Sequence, residues 1–109
     1  MDTAIYDYYD VTSEADIASG SRIFIEIDGK PVVIFNIDGK FYAIDDVCTH
    51  DDGPLGEGNL EGFQIICPRH GARFDVRTGK ALALQAVQDV HYYPIRVVQG
   101  RVEIGVKKD

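Results

Sequence analysis

The sequence predicts an all-β protein, an antiparallel β-sandwich or small barrel of short strands. Hydrophobic and polar residues alternate with a period of two along most of the 109 residues, which is the pattern of half-buried strands. Asp-Gly pairs at 28–29 and 38–39 interrupt the alternation, and Asp-Gly is a strong signal for a tight hairpin turn. Eight or more short strands separated by turns are typical of sandwiches and barrels.

The alternation also predicts the order of the elements. A short capped helical turn is expected to begin at Thr12 or Ser13, with Asp16 near its third position. The two Asp-Gly turns join three consecutive strands into a meander, and Gln99-Gly100 joins the last two strands. In order, strands are expected at 5–11, 22–27, 32–37, 41–44, 63–66, 73–76, 81–83, 91–98 and 101–106.

The charge balance excludes several classes of partner. Eleven Lys and Arg residues stand against 18 Asp and Glu residues, a net charge of −7. A nucleic-acid-binding protein needs a basic patch, and an anionic membrane surface would repel this chain. No apolar run approaches the length of a transmembrane helix, and the first ten residues are too acidic and polar for a signal peptide. We expect one cytoplasmic domain over 1–109.

The stretch 45–73 does not alternate, and it holds both cysteines and two of the three histidines. They form two pairs, Cys48-Thr49-His50 and Cys67-Pro68-Arg69-His70, separated by sixteen residues. Such spacing lets one loop tip aim both ligands at one centre. Two thiolates and two imidazoles favour zinc or iron–sulfur over magnesium or calcium. Zinc fingers usually group the two cysteines before the two histidines, but the ligand set alone leaves structural zinc open.

The neighbouring residues carry a resemblance to a known family. Gly53-Pro54-Leu55 follows the first pair, Gly71 and then Phe74-Asp75 follow the second, and Phe41-Tyr42-Ala43-Ile44 precedes both. Together with the double motif, these residues resemble the Rieske [2Fe–2S] proteins. The chain is most similar to the small ferredoxins that serve bacterial ring-hydroxylating oxygenases.

The resemblance implies a cofactor and its ligands. One [2Fe–2S] cluster would have one iron on Cys48 and Cys67 and the other on His50 and His70, with cluster-binding loops at about 45–73. Neutral imidazoles leave the oxidised cluster uncharged, so its potential lies above that of all-cysteine ferredoxins. Glycines of these loops are expected either to offer N–H groups to the sulfurs or to serve as ordinary turns: Gly53, Gly56, Gly58 and Gly71.

The resemblance further implies a one-electron carrier between a flavin-dependent reductase and a terminal oxygenase, with the histidines at the electron's entry and exit. Relatives in quinol-oxidising complexes carry hydroxyls where this chain has Ala72 and Phe74, and disulfide cysteines where it has Gly53 and Arg69. These replacements predict a potential near the low end of the Rieske range of about −150 to +300 mV. Gln85 stands where related ferredoxins often have proline.

Other functions remain open at this point. Only His91 is left once the cluster takes its ligands, so the chain lacks the set for a substrate-activating iron and is not itself an oxygenase. Alternatives are an accessory subunit like that of nitrite reductase, a protein of iron–sulfur assembly, or a zinc-stabilised binding domain. We interpret His91 as structural or exposed. Charged residues around the loops form either a docking patch or a solvated rim: Asp45, Asp46, Asp51, Asp52, Arg69, Arg73 and Arg77.

Overall fold

The computed structural model describes residues 5–49, 53–68, 71–82 and 88–108, and within them the predicted antiparallel all-β architecture is confirmed. The strands described are β1 (Tyr6–Ser13), β2 (Arg22–Ile27), β3 (Lys30–Ile37), β4 (Lys40–Asp45), β5 (Leu60–Glu61), β6 (Gln64–Ile66), β7 (Arg73–Asp75), β8 (Tyr92–Tyr93), β9 (Ile95–Val98) and β10 (Arg101–Lys107). The predicted helical turn is a 3-10 turn over Glu14–Asp16, which the Ser13 hydroxyl caps by accepting from the Ala15 N–H at 3.3 Å.

Three antiparallel sheets contain these strands. Sheet I has the order β1-β10-β9, sheet II the order β2-β3-β4-β8, and sheet III the order β5-β6-β7. The predicted meander forms the first three strands of sheet II. In its turns both central residues have positive φ, 51° and 80° at Asp28 and Gly29 and 54° and 87° at Asp38 and Gly39. This conformation matches the twist of the flanking strands, which is why these pairs make hairpins.

Pro94 divides the single strand predicted at 91–98 into two. β8 pairs with β4 in sheet II, whereas β9 pairs with β10 in sheet I. Proline has no N–H to give to a ladder, but its carbonyl accepts from the Gly105 N–H at 2.8 Å. The chain therefore passes from one sheet to the other at this residue.

The segment 60–66 is a small hairpin, β5 and β6, that turns through Gly62 at φ 60°. The strand predicted at 63–66 is its second arm. The strand predicted at 81–83 is reduced to an isolated bridge between Ala81 and Phe74, and Ala83 lies outside the described residues.

Strand β3 separates two apolar clusters, because both of its faces are buried. Val33 and Phe35 face one cluster, which sheet III completes, while Val32 and Ile34 face another, which sheet I completes through Ile104. Sheet II is thus the middle layer of the molecule. Among the described residues, no helix has the length and apolar character needed to cross a membrane.

Candidate metal centre

The two cysteines lie in separate loops that meet in one apolar cluster. Cys48 belongs to the first cysteine loop (residues 46–59, between β4 and β5), and Cys67 opens the second cysteine loop (residues 67–72, between β6 and β7). Their exposed fractions are 0% and 1%, and both belong to the cluster between sheets II and III. His50 and His70 lie outside the described residues, so their place as ligands stays a prediction.

The two cysteine loops close in the same way. The Cys48 N–H donates to the Gly53 carbonyl at 2.7 Å, and the Cys67 N–H donates to the Ala72 carbonyl, also at 2.7 Å. Each of these hydrogen bonds joins a cysteine to the residue five positions later, and the sequence between the two includes one of the predicted histidines. A shared centre with one cysteine and one histidine from each loop would require two such closures, one in the connection from β4 to β5 and one between the paired strands β6 and β7.

Three loop glycines give their N–H groups to protein acceptors. Gly56 donates to the Asp46 carboxylate at 2.5 Å, Gly58 to the Leu55 carbonyl at 3.1 Å and Gly71 to the Cys67 carbonyl at 3.0 Å. A Cβ on Gly58 would lie 1.8 Å from the Ile66 carbonyl oxygen. Of the two roles that the sequence left open for these glycines, the contacts favour turns and close packing over donation to sulfur.

Ala72 and Phe74 lie where the resemblance places them, beside the cysteines. Both are fully buried and belong to the apolar cluster that contains Cys48 and Cys67. Neither side chain carries a hydroxyl. These two residues therefore give the cysteines an apolar environment. Their side chains offer no hydrogen-bond donor that would stabilise added negative charge.

The described members of the charged rim have partners within the chain. Arg73 pairs with Glu61 at 3.0 Å, and Arg77 pairs with Asp75 at 2.8 Å while stacking on the Phe63 ring. The hydrogen bond from Arg77 holds the pKa of Asp75 below its usual value. Asp51, Asp52 and Arg69 lie outside the described residues. Because these ion pairs are exposed at the surface, the contacts of the described arginines favour a solvated rim over a docking patch.

His91 is exposed, which agrees with its interpretation as a structural or surface residue. Its ring meets Tyr93 edge-on at 4.6 Å, and its carbonyl accepts from the Asp45 N–H at 2.9 Å. It lines an open cavity of about 350 Å³ together with Lys30 and Thr49.

Arg22 and Asp46 are contacts of the first cysteine loop that sequence reasoning missed or misassigned. The alternation predicts Arg22 only as a strand residue, yet its guanidinium donates to the carbonyls of Gly56 and Gly58. The sequence places Asp46 in the charged rim, yet its carboxylate accepts from the loop backbone. Arg22 contacts a segment 34 residues away, so no local pattern could have signalled it.

Comparison with known proteins identifies the family of this arrangement. The family model described as the Rieske [2Fe-2S] domain matches residues 7–94. The ferredoxin component of the naphthalene 1,2-dioxygenase system of Pseudomonas putida is 39% identical over 90 residues, which are 83% of this chain and 86% of that relative.

Two further proteins are similar over most of the chain. The 3-phenylpropionate/cinnamic acid dioxygenase ferredoxin subunit of Escherichia coli (strain K12) is 41% identical over 92 residues, covering 83% of this chain and 85% of the relative. A chain in the structure of the complex of reduced oxygenase and oxidized ferredoxin in carbazole 1,9a-dioxygenase is 29% identical, with a TM-score of 0.84, over 94% of this chain and 95% of that one.

Proposed function

This chain belongs to the Rieske [2Fe–2S] domain family, and we propose that Cys48, His50, Cys67 and His70 hold its one [2Fe–2S] cluster. Cys48 and Cys67 would bind one iron, and His50 and His70 the other. The observation that carries this assignment is the pair of buried cysteines in one apolar cluster. The N–H of each cysteine donates to the carbonyl of the residue five positions later. Two thiolates and two imidazoles are the donor set of a Rieske centre.

The protein is an electron carrier and not a catalyst. We infer that it receives one electron from a flavin-dependent reductase and passes it to a terminal oxygenase that hydroxylates aromatic rings. Its similarity to ferredoxin components of two dioxygenase systems, each over more than four-fifths of both chains, supports this inference. Because those systems act on different substrates at nearly equal identity, 39% and 41%, the similarity does not select the aromatic compound.

The chain's own residues surround the cluster site with apolar side chains and hold the cysteine backbone in place. The cluster, when bound, accepts and releases one electron. Apolar side chains around Cys48 and Cys67 exclude water, and the hydrogen bonds of the two cysteine N–H groups hold each cysteine's backbone. The absence of hydroxyls at Ala72 and Phe74 favours a low potential.

We take residues 1–109 as one cytoplasmic domain with cluster-binding loops at about 45–73; the match to the family model over residues 7–94 supports this domain assignment.

Substitution of the histidines tests the ligand assignment. His50→Gln and His70→Gln should each abolish the reduced cluster's electron paramagnetic resonance signal and lower the iron content, because glutamine offers no imidazole nitrogen. His91→Gln is the matched control and should retain two irons and the wild-type signal. A histidine variant that keeps the wild-type signal would remove that residue from the ligand set.

Electron delivery tests the role. Reduced protein mixed with a purified terminal oxygenase of the naphthalene type should be reoxidised, one electron per chain, in step with reduction of the oxygenase. The accessory-subunit and iron–sulfur-assembly alternatives predict no such transfer. A colourless protein holding one zinc would contradict the cluster itself.

A further inference from the structure

We propose that Arg22 and Asp46 form a clamp that positions the two cysteine loops and thereby retains the cluster; the inference rests on the proposed function. Asp46 stands two residues before Cys48, and one of its carboxylate oxygens accepts the N–H groups of Leu55 at 2.9 Å and Gly56 at 2.5 Å. The Asp46 N–H itself donates to the Pro31 carbonyl at 2.9 Å. The Asp46 carboxylate therefore ties the turn at 55–58 to the first residue of the loop that carries Cys48, and the Asp46 backbone N–H ties that residue to strand β3.

Arg22 holds the other side of the same turn. One guanidinium nitrogen donates to the Gly56 carbonyl at 2.5 Å and to the Gly58 carbonyl at 2.7 Å. The guanidinium lies 5.2 Å from the centre of the Phe35 ring, and Phe35 is opposite Arg22 in the β2–β3 ladder. The turn thus places its N–H groups on an anion and its carbonyls on a cation, and hydrogen bonds to charged groups are the stronger ones.

The clamped turn also touches the second cysteine loop. Gly58 packs directly on Ile66, the residue before Cys67, and lies close to Pro68. The backbone carbonyl of Asn59, the next residue, accepts from the Ile66 N–H at 2.9 Å. The turn is hydrogen-bonded to Asp46, two residues before Cys48, and it packs against Ile66, the residue before Cys67. The Arg22–Asp46 clamp therefore sets the spacing between the two cysteine backbones.

Close packing surrounds Gly56, the residue that both Asp46 and Arg22 contact. A Cβ on Gly56 would lie 2.9 Å from the Phe24 ring, 2.9 Å from the Val33 side chain and 3.0 Å from the Asp46 carboxylate. Arg22 and Asp46 are positioning residues, since they act through the loop backbone. Loss of either should let the cysteines separate and release iron while the three sheets remain folded.

Release of iron to excess EDTA tests the clamp. Oxidised wild type, Arg22→Gln, Asp46→Ala and Arg22→Lys are followed by visible absorbance, with far-ultraviolet circular dichroism recorded in parallel. Arg101→Gln is the control, because it removes an arginine–carboxylate pair, Arg101–Asp10, in sheet I. The Gln and Ala variants should release iron about tenfold faster or more, given the strength of hydrogen bonds to charged groups, with the dichroism unchanged. Arg22→Lys should be intermediate, and Arg101→Gln should match wild type.

Release at the wild-type rate from Arg22→Gln or Asp46→Ala would overturn the proposal. If their midpoint potentials then shift in opposite directions, the two side chains act only through their charges. If both variants unfold, Arg22→Lys decides: faster release with intact sheets supports the clamp, and wild-type release overturns it. A wild type without the cluster spectrum would refute the proposed function as well, whereas unaltered release from loaded variants refutes only the clamp.

Discussion

At the scale of single residues, the setting of the cysteines is defined by apolar neighbours. Ala72 and Phe74 are fully buried in the same cluster as Cys48 and Cys67, and neither offers a donor. Reduction adds negative charge to the cluster, and a hydrogen bond to a ligand or bridging sulfur stabilises the more negative state. These two positions therefore bear on the potential while making no bond to metal.

Ala72→Ser and Phe74→Tyr should each raise the midpoint potential by tens of millivolts, and together by about 100 mV. Only the difference in hydrogen-bond strength between the two redox states contributes. For one electron, a tenfold change in the equilibrium constant corresponds to about 59 mV. Protein-film voltammetry at neutral pH measures the shift. Ala43→Ser, in the apolar cluster on the other side of sheet II, is the control and should leave the potential unchanged. A double variant with the wild-type potential and an intact spectrum would show that these side chains do not reach the cluster.

Tyr93 predicts an alkaline loss of stability. Burial, and then the hydrogen bond that its hydroxyl donates to Asp45 at 2.5 Å, raise the pKa of Tyr93 above its ordinary value of 10.0. The folded protein therefore keeps the phenol proton at a pH where the unfolded chain loses it. This contribution to stability is complete below pH 10 and declines as the pH rises above it.

Tyr93→Phe should lower the free energy of unfolding by about 1 kcal/mol at neutral pH, because it removes one hydrogen bond. It should also reduce the dependence of stability on pH above 10, since the titrating group is gone. Urea unfolding between neutral and alkaline pH measures both effects. Tyr9→Phe, at a side chain that is 52% exposed, is the control and should behave as wild type. Equal alkaline slopes in wild type and Tyr93→Phe would contradict the assignment.

At the scale of elements, the contact between the first cysteine loop and strand β6 depends on one missing side chain. Gly58 lies against the Ile66 carbonyl, and an added Cβ would sit 1.8 Å from that oxygen. No side chain fits there unless the loop and the strand separate. The residue is a glycine because of this close approach, and not because of a positive φ.

Gly58→Ala should destabilise the protein by about 3 kcal/mol or more, at the upper end of the range for overpacking a close-packed site. Gly62→Ala is the matched control in the adjacent hairpin. It has open space at its Cβ position but a φ of 60°, so it should cost only about 1–2 kcal/mol of backbone strain. Thermal unfolding and cluster absorbance measure both variants. Equal destabilisation would mean that the close approach at Gly58 is relieved cheaply.

The elements also show which features the sequence could predict. The meander of sheet II followed from alternation and from two Asp-Gly turns, because these are local signals. The passage between sheets at Pro94 did not, since a strand in either sheet alternates with the same period. The cysteines were predicted as one centre from their spacing, and the structure brings them into one cluster. The contacts of Arg22 were missed because they join segments far apart in the chain.

At the scale of the whole molecule, the net charge of −7 bears on encounter with redox partners. The described rim arginines are paired within the chain, so local charge pairs contribute little to attraction. The excess of carboxylates remains and produces a field that extends beyond any single contact. We therefore expect steering toward a basic surface on the partner, with Glu57 contributing because it is exposed in the first cysteine loop.

The rate of reduction by the cognate reductase should fall as salt rises, because screening shortens the reach of charge to about 8 Å at physiological ionic strength. Glu57→Gln should lower the low-salt rate about two- to threefold and flatten its salt dependence, since long-range attraction acts mainly on association. Asp38→Asn is the matched control. It removes the same charge in the turn that precedes β4, where asparagine also tolerates the φ of 54°. The first cysteine loop follows the opposite end of β4. Stopped-flow reduction over a series of salt concentrations measures both variants. A rate that does not change with salt, or an equal effect of both substitutions, would contradict steering through this loop.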